Sequence, residues 1–350
     1  MKRQCLLAIL GLTAALVAGS LGTSGAAAQA SDYEQRYEAD KAEAEKYYDV
    51  VYKVANADKD ALVAQVTADM ESLAELLNND YQELKKKYPP GPANGLIHNQ
   101  YQRSIDPGNT LGSFGRYYES YKRIRDRYSN DVKSGAYPKS LIDDYKDELK
   151  PDSRTGGAMK RYAANKADDN VREKELESIR QTRENTYKQI LEERNRAVQE
   201  ILEDRQKLIT DVMNYRQRIF DEAPIAVKPL TVSFAEIKVM IDGELQTFEQ
   251  PPVNDSGNVL VPMRAIFEAL GATVLWNEEQ RAVQAKKGGT TIDLKLGSKD
   301  ALINGSPKTL DAPAKLVGSS TMVPIRFISE ALGAKVEWDQ LTQTVLIETK

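Results

Sequence analysis

The chain has 350 residues, with 48 basic and 52 acidic side chains and a net charge of −4, a balance that favours solubility and names no partner. It holds one cysteine, Cys5, and one histidine, His98, which rules out a disulfide framework. Copper sites of the amine-oxidase type, zinc hydrolase sites and Ser-His-Asp triads all lean on imidazole, so most of those constellations cannot be built, and no cofactor is expected.

Residues 1–30 read as an export signal rather than as fold. Lys2 and Arg3 precede an apolar run from Leu6 to Val17, and Ala28-Gln29-Ala30 supplies a small-x-small cleavage site. Cys5 lies before the apolar run, the wrong place for lipoprotein processing. No later run is long and apolar enough to span a membrane. Exported chains without cysteine depend on packing alone for stability.

Residues 31–222 are expected to be helical. Segments 32–56 and 60–87 are rich in good helix formers, with Asp58 or Asp60 as a cap for the second, and Pro89-Pro90-Gly91-Pro92 ends it. His98 falls in a Pro/Gly/Asn-rich stretch read as a loop. Further helices are expected over 112–133 and after Pro138, then a loop from Asp152 to Gly157 and one long helix from Ala158 to Phe220. Steps of four and three along that helix give Tyr187, Leu191, Arg194, Val198, Ile201, Arg205, Leu208, Val212, Tyr215 and Ile219, a heptad-like seam. Ile190, Leu202, Ile209 and Met213 widen the stripe, so an elongated bundle within one chain is expected before self-association as a coiled coil. Residues 223–236, with Pro224 and Pro229, read as an extended linker.

Residues 237–350 contain an internal repeat. Val261 to Trp276 (VPMRAIFEALGATVLW) recurs 62 residues later as Val323 to Trp338 (VPIRFISEALGAKVEW), with eleven of sixteen positions identical. In the same register Asp242-Gly243 matches Asn304-Gly305, both favoured two-residue hairpin turns. Pro262 and Pro324 open a short helix in each copy, Gly271 and Gly333 end it, and strands follow. The predicted architecture is thus a helical region followed by a duplicated α+β unit of about 240–288 and 302–350.

The doubled V-P-x-R-x-x-x-E-A-L-G-A-x-V-x-W motif after a hairpin turn resembles the copper amine oxidase N-terminal-domain family, the stalk domain of exported bacterial proteins. The resemblance covers about 237–350 and implies antiparallel strands with helix, standing apart from any oxidase core. It implies no activity, because the catalytic domain with its copper-binding histidines is missing.

Candidate site residues are few. Arg264 and Arg326 lie four residues before Glu268 and Glu330, a spacing read first as an ion pair within a scaffold and second as anion binding. Trp276 and Trp338 are expected in the sheet core, with a carbohydrate platform as the second reading. Arg116, Lys122, Arg123, Arg125 and Arg127 alternate with tyrosines and could meet an anionic wall polymer. The other reading is a solvated helix face, with Tyr117, Tyr121, Ile124 and Tyr128 turned inward. Asp143, Asp144, Asp147 and Glu148 lack the spacing of a calcium loop. The expected function is a non-enzymatic, exported structural or binding protein of the cell envelope, its partner a wall polymer or another exported protein. An assembly or holdase-like factor is the alternative, a carboxylate-only hydrolase a distant third, and nucleic acid is not expected.

Overall fold

The computed structural model describes residues 25–128, 139–152, 156–220 and 227–349. Most of the signal segment 1–30, the expected helix end at 133, part of the loop 152–157 and the start of the linker at 223 lie outside the described residues.

Six helices precede the first strand among the described residues: α1 (Gly25–Lys87), α2 (Gly95–Ile105), α3 (Ser113–Tyr128), α4 (Lys139–Glu148), α5 (Ala158–Ala164) and α6 (Asp169–Phe220). The two helices expected over 32–56 and 60–87 are one. Nothing in Asn56-Ala57-Asp58-Lys59-Asp60 breaks a helix, and Asp58 is a buried ion-pair partner rather than a cap. The expected helix from Ala158 is instead two. Asp168 ends the break by accepting from the backbone N–H groups of Asn170 and Val171 and so caps α6. His98 is helical and buried, not in a loop, and its Nε2 lies 2.6 Å from the Tyr88 carbonyl oxygen just past the end of α1.

The two long helices run parallel and are joined by a ladder of buried charges. Arg194 contacts Asp58 at 2.7 Å, Arg205 contacts Asp69 at 2.8 Å and Arg216 contacts Asp80 at 3.1 Å, each pair 136 positions apart. Arginines and aspartates therefore recur together every eleven residues, which is three helical turns. That period keeps a face in register along a right-handed parallel pair. The heptad reading is corrected accordingly: Arg194 and Arg205 do not interrupt the seam but form its rungs. Helix α3 runs the other way along α6, since Arg127 meets Glu193 and Glu200, Ser120 meets Asp204 and Arg116 meets Asp211. Its buried Phe114, Tyr117, Tyr121, Ile124 and Tyr128 share one core with Leu62, Val66, Ala197 and Ile201.

Residues 227–234 are extended but not a free spacer. Val227, Leu230, Val232 and Phe234 pack on the bundle core, and Gln65 makes a two-way amide pair with the backbone of Ser233.

Burial raises the tyrosines of this layer. Tyr162 is pushed up to about 12 by desolvation and by its hydrogen bond to Asp40, and Tyr187 to about 12 by desolvation. Tyr101, Tyr117, Tyr128 and Tyr145 are raised further, again chiefly by desolvation. A phenol whose folded pKa exceeds its unfolded value of about 10 adds stability that is complete below that value and lost as pH rises through the folded one. All seventeen tyrosines lie between Tyr33 and Tyr215. Helix content is therefore expected to fall between about pH 10 and 12, ahead of the near-ultraviolet dichroism of Trp276 and Trp338. Helix content unchanged beyond that range would contradict this coupling.

The second half is built from β1 (Lys238–Ile241), β2 (Glu244–Leu245), β3 (Val253–Asp255), β4 (Asn258–Pro262), α7 (Met263–Ala269), β5 (Thr273–Asn277), β6 (Ala282–Lys287), β7 (Thr290–Lys295), β8 (Asp300–Ile303), β9 (Ser306–Thr309), β10 (Lys315–Val317), β11 (Ser320–Pro324), α8 (Ile325–Ala331), β12 (Lys335–Asp339) and β13 (Thr344–Glu348). Elements β1 to β6 recur as β8 to β13 at the repeat offset, and β7 is the addition between them. In the β1–β2 and β8–β9 turns, both central residues are left-handed, with φ of 48° and 80° at Asp242-Gly243 and of 52° and 78° at Asn304-Gly305. The two proline residues close β4 and β11, and the helices begin one residue later than expected.

The repeats are interlocked rather than set side by side. The central sheet has the order β10-β11-β4-β3, and in it Val261 stands opposite Val323, its own counterpart, so an internal twofold passes between them. The hairpin of each repeat then joins the sheet of the other: β1–β2 pairs with β12–β13, and β8–β9 joins β5–β6 through β7. Val239, Ile241, Val345 and Ile347 face the common core, with Ile266, Phe267 and Ile328 from α7 and α8.

The β12-β13-β1-β2 sheet also has its other face covered. Met240 and Leu346 pack against Val50, Val51 and Val54 of α1 and Tyr187 and Ile190 of α6. Charges frame this contact: Lys46 binds Glu337 and Glu348, Lys53 binds Glu244, and Arg183 binds Asp339 at 2.5 Å. Burial on both faces explains why β1 and β13 read as continuous apolar runs.

Candidate functional site

Among the described residues, two of the grooves on the duplicated half lie at equivalent positions, one per repeat. Trp276 and Trp338 stand on the core-facing side of β5 and β12, opposite Val283 and Val345. Both strands are sheet edges, however. The rings are thus 38% and 39% exposed, which corrects the expectation that they fill the sheet core. Each indole is held from its own strand: Trp276 Nε1 donates to Glu278 at 2.5 Å and Trp338 Nε1 to Gln340 at 2.9 Å.

Arg264 and Arg326 occupy the second residue of α7 and α8 and line the same two grooves. Both are exposed, and among the described residues neither has an ion-pair partner. Arg264 and Glu268, expected to pair, do not. Both project into solvent, where such a pair adds little to hold it. The side chain of Glu330 lies outside the described residues. Gly271 and Gly333 both adopt φ of 79°, the left-handed helix end that lets the chain turn back into β5 and β12.

The far wall of each groove comes from the other repeat. Leu316, Ser320 and Thr321 face Trp276, and Asn254 and Asn258 face Trp338. Glu249 lines the first groove and Asp311, its counterpart at the repeat offset, the second. The grooves measure about 570 and 390 Å³. Each presents one indole, an arginine (Arg264 or Arg326) and two carboxylates, Glu249 and Glu278 in the first and Asp311 and Glu337 in the second, and Arg281 adds a second guanidinium to the first. The repeat pattern exposed these tryptophans and arginines; the opposing walls depend on the interlocked topology and left no local signal.

The basic residues of α3 are placed differently. Arg116 pairs with Asp211, Lys122 with Glu119, Arg125 with Asp126, and Arg127 with Glu193 and Glu200, while Arg123 donates to Ser120. Arg116, Lys122, Arg125 and Arg127 are thus each met by a carboxylate, and Arg123 by a hydroxyl. Of the acidic group on α4, Asp147 faces Lys150, and Glu148 accepts from the backbone N–H of Ala158. Among the described residues no cluster of His, Cys, Asp and Glu has the geometry to hold a metal, and no helix is long and apolar enough to cross a membrane.

The segment that carries the two repeats is similar in sequence to known proteins. Residues 240–347 match the copper amine oxidase N-terminal domain family. The match is confined to that segment, and the helical layer stands outside it. A protein from Brevibacillus choshinensis named as a protease inhibitor is 36% identical over 115 residues, 32% of this chain and 35% of the relative. The chain thus spans about a third of the length of the relative it matches. Both grooves of this amine-oxidase N-terminal-type domain fall within 240–347, as do both tryptophans of the chain.

Proposed function

We propose that this protein is an exported, non-enzymatic binding protein of the cell envelope, whose amine-oxidase N-terminal-type domain recognises a partner and whose helices carry it. The observation that carries this reading is the pair of equivalent grooves, each presenting a tryptophan face and an arginine that has no ion-pair partner among the described residues. Unpaired, exposed copies of two such residues contribute little to holding the scaffold together. The export pattern of residues 1–30 and the absence of cysteine thereafter support the location. Attachment through the helices is less favoured, since their apolar faces and most of their charges are used within the chain.

Inhibition of an exported protease is a second reading, favoured by the name of the Brevibacillus relative. Fractionating the native host tests the first. The protein is expected in the wall fraction, released by high salt if the arginines contribute. Recovery only from cytoplasm would overturn export. Recovery only from the medium, with nanomolar inhibition of a co-secreted protease, would replace the first reading by the second.

A further inference from the structure

We propose that the two grooves bind a carbohydrate polymer bearing carboxylate groups, one acidic sugar unit to each groove. The inference rests on the reading of this domain as a recognition module and names its ligand class. An indole face held in place by a hydrogen bond from its own N–H, as at Trp276 and Trp338, is a preformed platform for the C–H face of a sugar ring. Fixing the ring beforehand reduces the ordering cost of binding. The guanidinium of Arg264 or Arg326 in the same groove matches a carboxylate in a two-pronged arrangement that a hydroxyl cannot offer. Glu249 and Asp311 in the linings, and the amides of Asn254 and Asn258, are acceptors and donors suited to hydroxyls, while Glu278 accepts from the Trp276 indole and Glu337 pairs with Lys46 and Lys335.

The doubling bears on the ligand as well. Two like sites related by the Val261–Val323 twofold suit a ligand that repeats its own recognition unit. Engagement of both grooves by one chain would make the second contact intramolecular and raise the apparent affinity. The grooves are not identical, since Glu278 and Arg281 of the first correspond to Gln340 and Gln343 of the second.

The chain reports on these sites directly, because Trp276 and Trp338 are its two tryptophans. Protein purified from its host would be titrated with oligogalacturonate and, in parallel, with the same oligomer after reduction of its carboxylates to alcohols. A saturable change in tryptophan fluorescence is expected with the acidic oligomer, and binding at least about tenfold weaker with the reduced one. W276F and W338F each leave one reporter and should each still respond. R264Q and R326Q, both at exposed positions, should each weaken binding by about tenfold or more, with unchanged circular dichroism.

No saturable response, equal affinity for the reduced oligomer, or indifference to R264Q and R326Q together would each overturn the proposal. So would saturation of both tryptophans by an acidic peptide in place of the sugar. Wall retention without any response to the oligomer would sink this inference alone. A clear response from a protein with no wall affinity would leave it standing and sink the envelope reading.

Discussion

Replacing Arg205 with alanine is expected to destabilise the helical layer by about 3–5 kcal/mol, the usual cost of leaving one member of a buried pair without its partner. The Arg205 and Asp69 side chains are only 7% and 9% exposed, and Arg205 also donates to the Lys228 carbonyl at 2.5 Å. The substitution thus strands a carboxylate between the two long helices and loosens residues 227–234 at the same time. A double change, R205M with D69L, removes both charges and should recover most of the loss, because an apolar pair of similar volume avoids the desolvation penalty. The surface pair Lys86–Glu83 serves as the control, with an expected effect of at most about 1 kcal/mol. Urea unfolding followed by helical dichroism reads all three. A midpoint for R205A equal to that of wild type would show that the ladder is ornamental.

Ending the chain after Gln343 should abolish folding of the C-terminal half. Strand β13 bonds to β12 on one side and, in parallel, to β1 on the other. Val345, Leu346 and Ile347 are all buried in it. Each is worth about 1.5–3 kcal/mol of burial, so the loss is comparable with the whole stability of an ordinary domain. Because each hairpin completes the sheet of the other repeat, the damage should not stay within the second copy. Near-ultraviolet dichroism is expected to vanish at Trp276 as well as Trp338, read singly in W338F and W276F backgrounds. Survival of the Trp276 signal would mean that the repeats fold independently, against the interlocked topology.

Features set by a few neighbouring residues were legible beforehand. The Asp242-Gly243 and Asn304-Gly305 turns, the glycine helix ends and the repeat itself follow from local backbone preference or from direct identity. The pairing of hairpins across repeats was not, since β1 and β8 carry the same local pattern and the choice of partner is a long-range matter. The eleven-residue ladder was present in the sequence as Asp58, Asp69 and Asp80 beside Arg194, Arg205 and Arg216. It escaped notice because Tyr187, Leu191, Val198, Ile201, Leu208 and Val212 fit a heptad over this length, and the charges looked like faults in it. For the grooves, the repeat singled out Trp276, Trp338, Arg264 and Arg326, and scaffold logic placed the two tryptophans in a sheet core where the structure leaves them partly exposed. Residue type alone could not tell that β5 and β12 are edges.

The docking of the β12-β13-β1-β2 sheet on α1 and α6 fixes one face of the domain against the helices. The grooves open around α7, α8 and the outer ends of β5 and β12, the second bordering that contact through Glu337, which pairs with Lys46 of α1. The exposed groove residues Arg264, Arg326, Trp276 and Trp338 lie outside both hydrophobic cores, and substitutions at them need not disturb either.

The most direct measurement is co-sedimentation of the full-length protein with purified cell wall, wild type beside a variant carrying W276A, W338A, R264Q and R326Q. Wild type is expected in the pellet and the variant in the supernatant, with equal helical dichroism in both. Equal pelleting of the two proteins, or wild type left in the supernatant, would contradict binding of the wall through these grooves.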